Sequence, residues 1–188
     1  MSSSRPTKKA RLSTSLDQIL IQNEINRIVR DTPGPFDRPV LSPDVWDQYK
    51  ETNDPRFLRC LEWLGDADVA LIVFEIQDSL FPNQSVGMAR LIRRSLVSNK
   101  TLKHICWRLG VRFSTLVDVE DLGKAPGDAF EILFALLRLS RNRKTAAIWI
   151  SDIFRPIIQA LGENPLPALM PAPRNIKYIR ARRDKGKY

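Results

Sequence analysis

Two pairs of carboxylates carry most of the chemistry that this chain offers. Glu62 and Asp66 are four residues apart, with Leu61, Trp63, Leu64 and Ala67 around them. On a helix that spacing puts both acids on one face, one turn from each other. Burying an ionised carboxylate among apolar neighbours costs several kcal/mol unless a cation or strong donors compensate, so the pair calls for a partner. Gly65 between them lets another backbone come close. Asp128 and Glu131, three apart, open a second apolar stretch. Taken alone, that pair is also what capping and dipole stabilisation of a helix N-terminus produce. Four carboxylates from two helices make an oxygen-rich pocket suited to hard divalent cations, above all Mg²⁺, or Mn²⁺.

Other chemistries find less support. One histidine, His104, and two distant cysteines, Cys60 and Cys106, do not make a four-ligand zinc site. Both cysteines are expected to act as small apolar residues on helices, in a reducing intracellular compartment. His104 is expected to be a surface or half-buried structural residue. The longest apolar runs, Val69 to Phe74 and Ile132 to Leu137, are far too short for a membrane span, so a soluble protein with no membrane partner is expected.

The net charge of +9 sits at the ends: residues 1–12 supply +4 and residues 174–188 supply +6, leaving −1 for everything between. Basic tails on a near-neutral body suit a polyanion such as RNA, through release of counterions from phosphates. Solvated tails that keep a protein in solution explain the same charge. The Ser-rich basic start fits both a nuclear-import patch and a mitochondrial presequence, so nucleus and mitochondrion stay open as locations.

The elements that must position the acids are all helical. Ser15 with Gln18 resembles a capping box, and Leu16, Leu20, Ile21, Ile25, Ile28 and Val29 predict a helix over about 16–30. Ser42-Pro43 opens a short helix, and Asn53-Asp54-Pro55 starts one that runs to about Leu80. That third helix is apolar almost all round, which predicts a place at the centre of the fold. Further helices are predicted over 85–97 and over 99–109, the latter closed by Gly110. After a looser stretch from Val111 to Gly127, helices follow from Asp128 to about Leu139 and from Thr145 to Leu161, the last kinked at Pro156. The expected organisation is a disordered basic segment over 1–14, one helical domain over 15–162, and a Pro-rich then basic tail over 163–188.

Three segments together resemble a known family. Leu61-Glu62-Trp63-Leu64-Gly65-Asp66-Ala67 is similar to the ribonuclease III signature helix, Leu96-Val97-Ser98-Asn99-Lys100-Thr101-Leu102 to a second family segment, and Asp128-Ala129-Phe130-Glu131 to its second acidic motif, all in the family's order. The resemblance covers roughly residues 55–140. It implies an all-α fold, a helical bundle like the ribonuclease III endonuclease domain, that forms a homodimer with a valley for double-stranded RNA. It further implies that Glu62, Asp66, Asp128 and Glu131 are catalytic and hold Mg²⁺ directly or through water. Double-stranded or structured RNA, ribosomal RNA among the candidates, would be hydrolysed to 5′-phosphate and 3′-hydroxyl ends.

The chain departs from the family pattern at Arg59-Cys60, where Glu-Arg is usual, at Val86 and Met88, where two acids flank the glycine, and at Ile132, where alanine is favoured. These departures keep a second reading in play, a catalytically silent RNA-binding scaffold of the same fold, such as a mitochondrial ribosomal protein. With about 27 residues after the last predicted helix, no separate double-stranded-RNA-binding domain is expected. RNA contacts are therefore expected from Arg59, Arg90, Arg93, Arg94 and Asn99 on the domain. Lys177, Tyr178, Arg180, Arg182 and Arg183 are the candidates on the tail.

Overall fold

Propensity and end signals account for where the helices start and stop. The computed structural model describes residues 8–33, 36–45, 54–110 and 125–163, with side chains from Leu16 onward in the first helix and from Pro126 onward in the fifth. They form six long helices: α1 (Lys8–Asp31), α2 (Pro55–Leu80), α3 (Val86–Leu96), α4 (Asn99–Arg108), α5 (Ala125–Ser140) and α6 (Arg143–Glu163). Among the described residues there is no strand, and the class is all-α, as expected for a ribonuclease III-like helical bundle. No helix is long and apolar enough to cross a membrane.

Several boundaries follow their sequence signals. Asp54 caps α2, its carboxylate accepting from Arg56 N at 2.9 Å with Pro55 as the first helical residue. Ser85 caps α3 through Met88 N, and Ser98 caps α4 through Thr101 N. Gly110 takes φ +60° just past α4, a conformation glycine adopts without penalty. A helical turn does begin at Pro43. Three starts come earlier than the expected ones, that of α6 by two residues, at Arg143 rather than Thr145. α1 begins at Lys8, since residues 8–12 are helix-favouring Lys, Ala, Arg and Leu and neither Ser13 nor Thr14 is a breaker. α5 begins at Ala125, with Pro126 tolerated in its first turn, so Asp128 sits inside that turn rather than before it. The 111–124 stretch and the tail from residue 164, including its expected extended course, lie outside the described residues.

The centre of the bundle is α5, not α2. Every residue from Ala129 to Leu137 is buried, and Phe130 stacks on Trp149 at 5.5 Å between ring centroids. α2 packs one face on α5 and α6 through Leu61, Val69, Ile72, Val73 and Ile76. Its other face leaves Trp63 67 %, Leu71 45 % and Phe74 40 % exposed. An apolar period all round a helix says that both faces want cover, but not that one chain supplies it for both. Cys106 is buried as expected. Cys60 is not the apolar filler that was expected: it is exposed, because it lies on the outer side of the first turns of α2 with Arg56 and Arg59.

Polar groups lock α1 to the start of α4. Gln22, 8 % exposed, donates to Thr101 Oγ1 at 2.8 Å and accepts from Ser98 Oγ at 2.8 Å. Thr101 in turn donates to Ser95 O at 2.7 Å. At the other end of α4, Arg108 donates to the carbonyls of Val29 and Thr32, tying off the C-terminus of α1. Arg38 does the same for Leu109 and Gly110.

Candidate metal centre

The acids are placed by contacts that leave little room for adjustment. A Cβ added to Gly65 would fall onto the backbone of Glu131, 2.8 Å from its Cα and closer still to its carbonyl. The glycine thus lets α2 and α5 touch backbone to backbone where each carries its acids. At Gly127, a Cβ would come within 2.9 Å of the Asn99 side chain. The N-terminus of α4 therefore abuts the turn that presents Asp128. The Cys106 thiol donates to Pro126 O at 3.2 Å in that same turn. Burial pushes that thiol up to about 12, so it stays protonated and structural.

Given that frame, one carboxylate oxygen each from Glu62, Asp128 and Glu131 all lie within 4.8 Å of one another. Glu131 is buried at 7 % exposure, whereas Glu62 and Asp128 are half-buried and open the cluster toward solvent. Asp66 is exposed one turn further along α2 and is not a member of this group. Ionised carboxylates brought this close repel one another, and a divalent cation between them relieves that repulsion. The donor set is oxygen only, which fits Mg²⁺ or Mn²⁺ and not a thiophilic metal.

The candidate RNA contacts fall in different places. Arg59 is exposed and precedes Glu62 by three residues, on the same side of α2. Arg90 and Arg94 are exposed on α3. Arg93 is half-buried, its guanidinium 5.9 Å from the centroid of Phe74, so it borders the bare apolar face of α2. Asn99 is half-buried against Gly127, beside the turn that presents Asp128. Lys177, Tyr178, Arg180, Arg182 and Arg183 lie outside the described residues. His104 is half-buried, edge-on to Trp107, and desolvation followed by the charges of Arg30 and Lys103 holds its pKa below 6.5.

Sequence reasoning passed over Asp68. This third acid of the Glu62 segment is not in the cluster: it accepts from Arg138 Nη1 on α5 and stands 3.7 Å from Arg143 Nε at the start of α6. A charged residue between Ala67 and Val69 in an apolar run was the available signal.

No protein-family model matches the chain. Over 111 residues, 55 % of its length, it is 32 % identical to a protein named Ribonuclease 3 from Caenorhabditis elegans. The chain spans only 10 % of that relative's length.

Proposed function

We propose that this chain is a divalent-metal-dependent endoribonuclease acting on double-stranded or structured RNA and leaving 5′-phosphate and 3′-hydroxyl ends. The convergence of Glu62, Asp128 and Glu131 within 4.8 Å carries this reading, supported by the similarity to a protein named Ribonuclease 3. Those three side chains would hold Mg²⁺, with Asp66 completing the set on the solvent side. When bound, the cation supplies a Lewis acid for the phosphate and a hydrolytic nucleophile at neutral pH, so no histidine or serine is required. The protein's own part is positional. Gly65 fixes the approach of α2 to α5, and the buried Glu131 keeps one ligand out of bulk water. Arg90, Arg94 and the basic tail would bind phosphates, reading shape rather than bases.

A homodimer belongs to the same reading. Trp63, Leu71 and Phe74 form an exposed apolar stripe on the helix that carries Glu62. A second copy pairing along that stripe would cover it and place two acid clusters in one assembly. RNA processing in the nucleus or mitochondrion is the cellular setting proposed.

A second reading, a silent RNA-bound scaffold, is favoured by Arg59, whose cationic side chain stands on the acid-bearing side of α2 where a further carboxylate would help hold the metal. Incubating the protein with a long RNA duplex and Mg²⁺, beside Glu131→Ala, separates the two. Metal-dependent cleavage lost in the variant is expected; stable RNA binding with no cleavage by the unaltered chain would overturn the enzyme in favour of the scaffold.

A further inference from the structure

We propose that Asp68 and Arg138 are positioning residues that set the rotation of α5 against α2, and through it the separation of the metal-binding carboxylates. The inference rests on the cation-binding reading of Glu62, Asp128 and Glu131. Asp68 lies six residues after Glu62 on α2, and Arg138 seven after Glu131 on α5, so the pair links the two acid-bearing helices about two turns beyond the acids. The Asp68 side chain is only 14 % exposed and has two arginines, from α5 and from α6, around it.

Within the apolar packing of α2 on α5, two contacts constrain different motions. Gly65 against the Glu131 backbone sets how near the helices come, but a glycine surface offers nothing directional to stop one helix turning over the other. A charge-assisted hydrogen bond does have direction. A carboxylate at the helix perimeter, about 5–6 Å from the axis, moves by about 2 Å for a rotation of about 20°. Mg²⁺ and Mn²⁺ sites do not absorb a displacement of that size, since the ligand shell of Mg²⁺ is held near about 2.1 Å. Ion pairs removed from water are weak sources of stability, and their best-attested use is to specify one register over another. Arg143, at the first residue of α6, extends the clamp to a third helix.

The sign of one substitution separates positioning from simple electrostatics. Arg138→Leu removes a positive charge near a cation site, which by Coulomb's law alone would tighten cation binding. Loss of positioning would weaken it. Mn²⁺ is titrated into the full chain and free Mn²⁺ is read by electron paramagnetic resonance, below the metal-free unfolding transition of each variant. Arg138→Leu and Asp68→Asn are expected to weaken Mn²⁺ binding about tenfold, the scale on which groups behind a metal's ligands act. Asp78→Asn, an equal charge change at an exposed position of α2, is expected to leave it within about twofold. Where Asp68→Asn does not fold, Arg143→Gln, at the half-exposed edge of the clamp, is expected to weaken binding about threefold. Tighter or unchanged Mn²⁺ binding in Arg138→Leu would overturn the positioning role while leaving the metal centre intact. An unaltered chain that binds no Mn²⁺, or binds it equally with Glu131→Gln, would overturn the metal centre and the positioning role with it.

Discussion

Gly65 and Glu131 meet backbone to backbone: any side chain at position 65 would occupy the space of the Glu131 main chain, with Cβ 2.8 Å from its Cα. In isolation, alanine in the middle of a helix is favoured over glycine by about 0.5–1 kcal/mol. Here the obstructing atoms are backbone and cannot swing away. Gly65→Ala is therefore expected to destabilise the fold by about 1–3 kcal/mol, the usual range for overpacking. Thermal unfolding read by circular dichroism checks it, and an alanine variant as stable as the parent would contradict the contact.

The buried amide of Gln22 joins α1 to the cap of α4. Gln22→Leu fills the space but removes two hydrogen bonds of 2.8 Å, leaving the Ser98 and Thr101 hydroxyls with Ser95 O as their remaining acceptor. A loss of about 1–3 kcal/mol is expected from urea unfolding, with an unchanged slope. Because Ser98 precedes Asn99, which abuts Gly127, the same variant is expected to loosen the Asp128 turn as well.

How much of this was legible beforehand depended on whether the information was local. Start signals such as Asp54-Pro55 and Ser98, and the stop at Gly110, act within a turn and marked their helices directly. Glu62, Asp128 and Glu131 stood out as acids in apolar runs. Asp66 was marked by its spacing alone, and its exposed side chain, one turn along α2 from Glu62, stands outside the 4.8 Å group. The Asp68–Arg138 and Gln22–Thr101 links join positions 70 and 79 residues apart, and no periodicity encodes which distant side chains will meet. The central place expected for α2 failed for a related reason, since period reports which faces are apolar and not what covers them.

pH dependence should show the burial of His104. Its folded-state pKa is held below 6.5, so the unfolded chain binds that proton more tightly than the folded one. This contribution to stability is fully present above about pH 6.5 and declines as pH falls through that value toward the folded pKa. Melting temperatures taken from about pH 8 down to about pH 5 are expected to fall, and less steeply for His104→Gln. An identical slope in the variant would assign the decline to other groups.

Exposed Leu71 and Phe74 offer a test of pairing that leaves the core untouched. Unaltered protein is expected to sediment at twice the 21.5 kDa of one chain. Leu71→Glu with Phe74→Glu, at positions 45 % and 40 % exposed, is expected to return it to a monomer with little change in helix content. A monomeric parent, or a dimer indifferent to both changes, would remove the second copy from this face.

The most direct measurement is calorimetric titration of Mg²⁺ into the full chain at neutral pH. One ion per chain is expected, with binding abolished by Glu131→Gln and strongly weakened by Glu62→Gln or Asp128→Asn, each variant remaining folded. Absence of binding by the unaltered chain, or binding that survives all three substitutions, would contradict the assignment of these carboxylates to a metal.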